Sequence, residues 1–266
     1  MSALTHYRLS NHVLDRLIND APNEPRQLTD DHRRSLSARL RAVGAVEHRR
    51  LDAWVVENAG RPSSPFHWSP SSARRVLAGG ALRRRSARSC STLDAVDEEI
   101  DDVLARAARA GHPGSLPAWL ASCTPGGLAV VRAEAATWAT HVDEVAASLR
   151  APWAYAPSDA YYDVARARTT LRGRRDLIVS PNEGRVLIRV RPGAPGRSAG
   201  AGLRADLTID ALADPDGLAS RLAVGVWPEA GVVLVVEGTM SDLRAGGRDL
   251  VRAAVALRSR AERSAA

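Results

Sequence analysis

Residues 173–193 read GRRDLIVSPNEGRVLIRVRPG. Two short apolar runs, LIV and VLIRV, flank Pro181, Asn182, Glu183 and Gly184. Turn-forming residues between apolar, β-branched runs predict a strand, a turn and a returning strand. The first strand carries one acid, Asp176. The second carries two arginines, Arg189 and Arg191. Alternate residues of a strand share a face, so Leu187, Arg189 and Arg191 point together. Guanidiniums in an otherwise apolar strand need opposing carboxylates or an anionic ligand, because an unpaired buried charge is costly.

Reading outward, residues 161–168, 169–180, 185–191 and 232–240 look like strands. A Gly-rich loop occupies 193–202, helical stretches fall around 203–225, and a last helix runs from near Ser241 to about 262. The order βββαβα predicts an α/β (α+β) fold with a small mixed sheet flanked by helices. Residues 1 to about 150 read as helical. Ser10 is placed to cap a first helix, and a second runs from near Thr29 to Gly60. Three prolines then break regularity in RPSSPFHWSPSS. Ser91 and Asp94 form a capping box for a third helix, with the stripe Leu93, Val96, Ile100, Val103, Leu104 and Ala107. Gly111 and Pro113 end it. A fourth spans about 128–150 with Val131, Ala135, Trp138, Val142, Val145 and Leu149 on one face.

The 266 residues are 45% hydrophobic and 25% charged, enough for one large domain or two small ones. There are 37 basic residues against 30 acids, and every basic residue is arginine. A chain without lysine has no Schiff-base or ammonium chemistry and no lysine phosphate clamp. Two cysteines, Cys90 and Cys123, hold neither a structural zinc nor a Cys-ligated iron–sulfur cluster by themselves. They read as core thiols in a reducing cytoplasm. The N-terminus lacks an apolar signal core. The apolar run GVVLVV at 231–236 is too short to span a bilayer, so no membrane association is expected.

The segment GRRDLIV followed by VLIRVRPG resembles the PD-(D/E)XK nuclease superfamily, in its RecB-like branch. That family carries Gly-Arg-x-Asp-hydrophobic at the end of one strand and (Asp/Glu)-hydrophobic-Lys-x-Gly at the end of the next. Asp176 matches the Asp position and Gly193 the terminal glycine. The serine-proline start WSPSSARRVLAGGALRR is similar to a segment near the start of RecB-like domains. The resemblance implies a helical N-terminal region over 1–60 packed on a nuclease-like domain over 61–266, with a helical insertion at about 91–150.

In such nucleases two acids hold a divalent metal that activates water. Here Arg189 stands in the second acid position and Arg191 in the lysine position. Two fixed cations repel a hard divalent cation, and arginine is no general base. The family's helix glutamine is lost too, since the only glutamine is Gln27. The resemblance therefore implies a catalytically degenerate site at Asp176, Arg189 and Arg191, with no metal. An active nuclease using Mg2+ or Mn2+ on Asp176, Glu183 and Glu237 is the alternative. His141 lies loosely where the family has a helix histidine. A protein-interaction scaffold is a further alternative. Within the site, Arg189 is expected to pair structurally, and Arg191, nearer the strand end, to face a groove.

Charge is uneven. Residues 61–90 hold seven arginines and no acid, while six acids lie between Asp94 and Asp102. Basic residues interleaved with Phe66, His67 and Trp68 suit single-stranded nucleic acid. Arg74, Arg75, Arg83, Arg84, Arg85 and Arg191 are the expected nucleic-acid contacts. Two duller readings stand beside this: the rings anchor the loop in a core, and the acids of 94–102 cancel the arginines.

Overall fold

A computed structural model describes the chain except residues 1–4, 11, 21–25, 46–47, 60–66, 89, 108–111, 113, 157–158, 181–183 and 266. The chain divides into two compact units, Met1–Arg61 with Ser148–Ala266, and Pro62–Ala147.

The first unit begins with β1 (Thr5–Arg8), α1 (Val13–Asn19), β2 (Arg26–Gln27), α2 (Asp30–Val43), β3 (Arg49–Asp52) and α3 (Ala53–Glu57). Residues 1–60 are therefore not simply helical. Thr29 caps α2 by accepting the His32 N–H, as its position suggested. The helix then stops at Gly44, whose φ of 68° is a conformation that glycine holds without a Cβ clash. The chain returns as β3 instead of continuing to residue 60. Residues 1–60 cluster with the C-terminal sheet in one unit. Tertiary pairing draws them there: β1 joins the edge of the main sheet, and β3 pairs in parallel with a later strand.

The second unit is helical: α4 (Pro70–Ala87), α5 (Thr92–Ala107), α6 (Leu116–Ala121) and α7 (Pro125–Ala147). Ser69 and Ser72 complete a reciprocal capping box at the start of α4, with Pro70 in the first turn. The Ser91 hydroxyl accepts the Asp94 N–H at 3.1 Å at the start of α5. Leu77, Val96, Ile100, Val103, Leu120, Val131 and Ala135 form the core of this unit. Leu93, expected in the stripe, is exposed in the first turn of α5.

The first unit resumes with β4 (Trp153–Tyr155), β5 (Ala160–Val164), β6 (Thr169–Gly173), β7 (Leu177–Val179), β8 (Val186–Val190), α8 (Ala199–Ala213), β9 (Leu218–Ala219), β10 (Leu222–Trp227), β11 (Val232–Glu237) and α9 (Met240–Ala265). A six-stranded mixed sheet runs β1-β11-β10-β8-β7-β4, a three-stranded one β3-β6-β5, and β2 pairs with β9. The single parallel pairing of the main sheet, β8 with β10, brackets α8 as the crossover helix. Two corrections follow. The expected strand 169–180 is two strands in different sheets, parted at Arg174–Asp176. The expected helix around 203–225 ends at Ala213, and LAVGVW is the strand β10. All six of its residues are buried, so it shows an unbroken apolar run without alternation.

Leu187 of β8 faces a core shared with Leu203 and Leu207 of α8, Ala223 and Trp227 of β10, and Leu243 and Leu250 of α9. Arg189, two residues along, is thus directed under α8.

Candidate functional site: an ion-pair network on the main sheet

Asp176 sits just before β7, alongside the end of β8. Its N–H donates to the Ile188 carbonyl at 3.0 Å, and its Oδ2 accepts the Val190 N–H at 2.9 Å. The carboxylate therefore ties the two strands together where the ladder ends. Its charge also acts on Arg189.

Arg189 is 7% exposed, and its guanidinium is salt-bridged to Asp206 of α8, which is 1% exposed. Asp206 also accepts the backbone N–H of Arg174 at 2.9 Å. Burial opposes the charge on Arg189, but Asp206, Asp176 and Glu57 outweigh it and hold the guanidinium pKa above its ordinary value. On Asp206 burial is the larger influence and pushes the carboxyl pKa up, against the pull of Arg189 and the Arg174 N–H. The salt-bridge partner of Arg189 is thus contributed by a helix.

Arg191 differs from its expected groove-facing role. Both of its terminal nitrogens donate to the Glu57 carboxylate at 2.5 Å, and its guanidinium lies 5.3 Å from the Trp227 ring centroid. Two glycines make room for this stack. A Cβ at Gly225 would stand 2.6 Å from the Trp227 ring, and a Cβ at Gly202 would stand 1.8 Å from Glu57 Oε1. The fork matches the carboxylate bidentately, a strong geometry that leaves the group little freedom for another anion.

The pairing extends along the sheet. Arg174 bonds Asp52 Oδ2 at 2.8 Å, Arg175 bonds Asp210 at 2.9 Å, and Arg185 bonds Asp214 at 2.9 Å. Ser220 donates to Asp210 at 2.7 Å. These acids were missed in the sequence because they come from β3, α3, α8 and the end of α8, outside the motif. A signal existed in LRADLTIDAL. Asp206 and Asp210 are four apart in a helix rich in apolar residues, which puts two carboxylates on one face.

The donors present do not fit a divalent metal. The arginines claim Asp206, Glu57 and Asp210, and among the described residues no three His, Cys, Asp or Glu gather to hold one. Glu237 ends β11 three residues from Leu234, and the rows Arg189–Gly225–Leu234 share a face. Glu237 therefore points to the opposite face of the sheet from Arg189. Glu183 lies outside the described residues, as do Arg61 and Phe66. His141 is half-buried on α7.

The expected contacts of the helical unit are mostly engaged. Arg74 bonds Glu134 at 2.8 Å and lies over the Trp138 ring at 5.2 Å. Arg84 reaches Glu99 at 2.9 Å and also Asp102, and those hydrogen bonds raise its pKa. Arg85 bonds Asp143 and donates to Thr92 at 3.0 Å. Arg88 bonds Glu98. Arg75 is half-buried and Arg83 exposed. Acids of α5 thus offset arginines of α4, as the second of the duller readings held. Trp68 donates to the Gly114 carbonyl at 2.9 Å and packs on Trp119, an anchoring role. No helix among the described residues is long and apolar enough to cross a membrane.

No protein-family model, curated protein or solved structure matches the chain.

Proposed function

We propose that this chain is a catalytically degenerate nuclease-like protein that binds nucleic acid. One observation carries the reading: Arg189 and Arg191 stand at the motif positions of the second acid and the lysine, and Asp206 and Glu57 neutralise them in place. Where the resembled family holds a cation between carboxylates, this chain has two guanidiniums. They supply the positive charge permanently, and they neither activate water nor yield to a metal. Asp176 retains a structural task, fixing the end of β8 through the Val190 N–H.

The test compares wild type with Asp176→Ala on single- and double-stranded DNA in Mg2+ or Mn2+. No metal-dependent cleavage above the variant is expected. Turnover abolished by Asp176→Ala would restore the active-nuclease alternative. In parallel, oligonucleotide affinity is measured against salt, where phosphate contacts impose a steep dependence.

A second reading, a protein-interaction scaffold, is favoured by the neutralisation of the α4 arginines within their own unit. Absence of binding at low salt would select it.

A further inference from the structure

The three-stranded sheet β3-β6-β5 has an outward face unrelated to the motif. Leu51, Leu171 and Val164 point into the core. The register then sends Arg50 and Asp52, Thr170 and Arg172, and Asp163 and Tyr161 to the other side. Asp52, at one end, is covered and held by Arg174. Along the rest of the face Arg50 and Asp163 are exposed, Tyr161 is 49% exposed, and Thr170 and Arg172 are half-buried. The Arg172 guanidinium lies 6.0 Å from the Tyr161 ring centroid and is fixed by Asp159 at 2.6 Å.

The hairpin Ala165–Arg168, which joins β5 to β6, closes the other end. Arg49 N–H donates to the Arg168 carbonyl at 3.0 Å, so the hairpin and the start of β3 lie together. Arg166 and Arg168 have φ of 61° and 44°. Glycine and asparagine fill this left-handed region easily, whereas a long side chain there is uncommon. Arg166 is exposed. A half-exposed ring with a guanidinium over one of its faces, Arg50 exposed on the same sheet face and Arg166 exposed in the adjoining hairpin suit one stacked base with phosphates meeting the two arginines.

We infer that the outward face of the β3-β6-β5 sheet binds single-stranded DNA, stacking a base on Tyr161 and meeting phosphates with Arg50 and Arg166. The inference rests on the nucleic-acid-binding reading and moves the contact away from α4, whose arginines are engaged. The polar groups beside the ring are committed to one another. Thr170 Oγ1 bonds His48 Nε2 at 2.9 Å and Asp163 Oδ1 at 2.5 Å, and Asp159 holds Arg172. With these groups paired to one another, DNA is the ligand inferred, and oligo-U tests that choice.

Fluorescence anisotropy with labelled oligo-dT of about 12 nucleotides tests this, a length within the span of one single-strand site. An abasic deoxyribose-phosphate oligomer of the same length and an oligo-U serve as parallel ligands. Tyr161→Ala is expected to weaken oligo-dT binding about 5- to 150-fold, the range for one stacked base. It leaves the abasic oligomer unaffected, and Tyr161→Phe retains affinity. Arg166→Asn is expected to keep or raise Tm, because asparagine tolerates the left-handed backbone. It should also reduce the magnitude of the salt slope by about 0.7, one phosphate's share on a single strand. Salt-dependent binding that Tyr161→Ala leaves intact on oligo-dT overturns this inference and spares the broader reading. Wild-type protein that binds none of the three oligomers at low salt overturns both. Tighter binding of oligo-U than of oligo-dT overturns the DNA assignment.

Discussion

Removing either member of the Arg189–Asp206 pair exposes how the first unit is held together. Asp206→Ala leaves a guanidinium that is 7% exposed without its salt-bridge partner and frees the Arg174 N–H. Breaking a buried pair from one side costs about 3–5 kcal/mol. Against a typical total of about 5–15 kcal/mol, that is a large share. Arg189→Met leaves the carboxylate instead, and a carboxylate has an escape: it takes up a proton. Burial already pushes Asp206 upward, and the variant loses the arginine that opposed this. A folded-state pKa above the unfolded value contributes stability that is complete below the unfolded pKa and is lost as pH rises through the folded one. The deficit of Arg189→Met relative to wild type should therefore narrow as pH falls from 7 toward about 4, whereas that of Asp206→Ala should not. The double variant Arg189→Met/Asp206→Leu removes both charges and should lie within about 1 kcal/mol of wild type or above it. Urea unfolding of wild type, Arg189→Met, Asp206→Leu and the double variant across pH, with hydrogen exchange of the β8 amides as a local probe, measures the cycle. Single variants costing under about 1 kcal/mol, or a double variant as unstable as the sum of the singles, would refute a buried, mutually dependent pair.

Three further outcomes are expected. Gly202→Ala should push Glu57 off Arg191, because its Cβ would lie 1.8 Å from Glu57 Oε1; about 1–3 kcal/mol is the usual cost of such overpacking, read as a lowered urea midpoint. Gly225→Ala should drive the Trp227 ring from its place under Arg191, which a change in tryptophan fluorescence would report. Arg85→Glu, which faces Asp143, should lower the thermal stability of the helical unit, while Arg83→Glu on the exposed side of α4 should change it by less than about 0.5 kcal/mol.

The sequence was most legible where local chemistry decides. Thr29, Ser69 and Ser91 start helices because a side-chain oxygen satisfies a first-turn N–H, and that rule needs no partner from elsewhere. The β7–β8 pair was visible from its turn. The strands β1 and β3 were not, since THYR and RRLD carry no apolar run and become strands only by pairing with β11 and β6. β10 was hidden for the opposite reason: both of its faces are buried, and its pattern has no period to distinguish it from a helix. At the candidate site the arginines were found and their carboxylates were not. A guanidinium in a strand announces a need, but Glu57 and Asp206 meet it from helices whose approach only the folded chain defines.

The division of the chain has a consequence for the order in which it is made. The helical unit is continuous, and the core cluster described for it lies between Ala73 and Ala135. It can close while the ribosome is still translating. The first unit cannot, because Thr5 pairs with Val235 and residues 49–52 pair with 169–172. At about 5–20 residues per second, the opening strands wait roughly 10 s or more for their partners. During that interval LAVGVW and GVVLVV emerge in succession as apolar strands with open edges, the state most prone to pairing with another chain. Nascent copies on neighbouring ribosomes are the nearest competitors for those edges. Yield in a cell should therefore respond to translation speed and to chaperones that shield extended segments, more than to the stability of the finished fold.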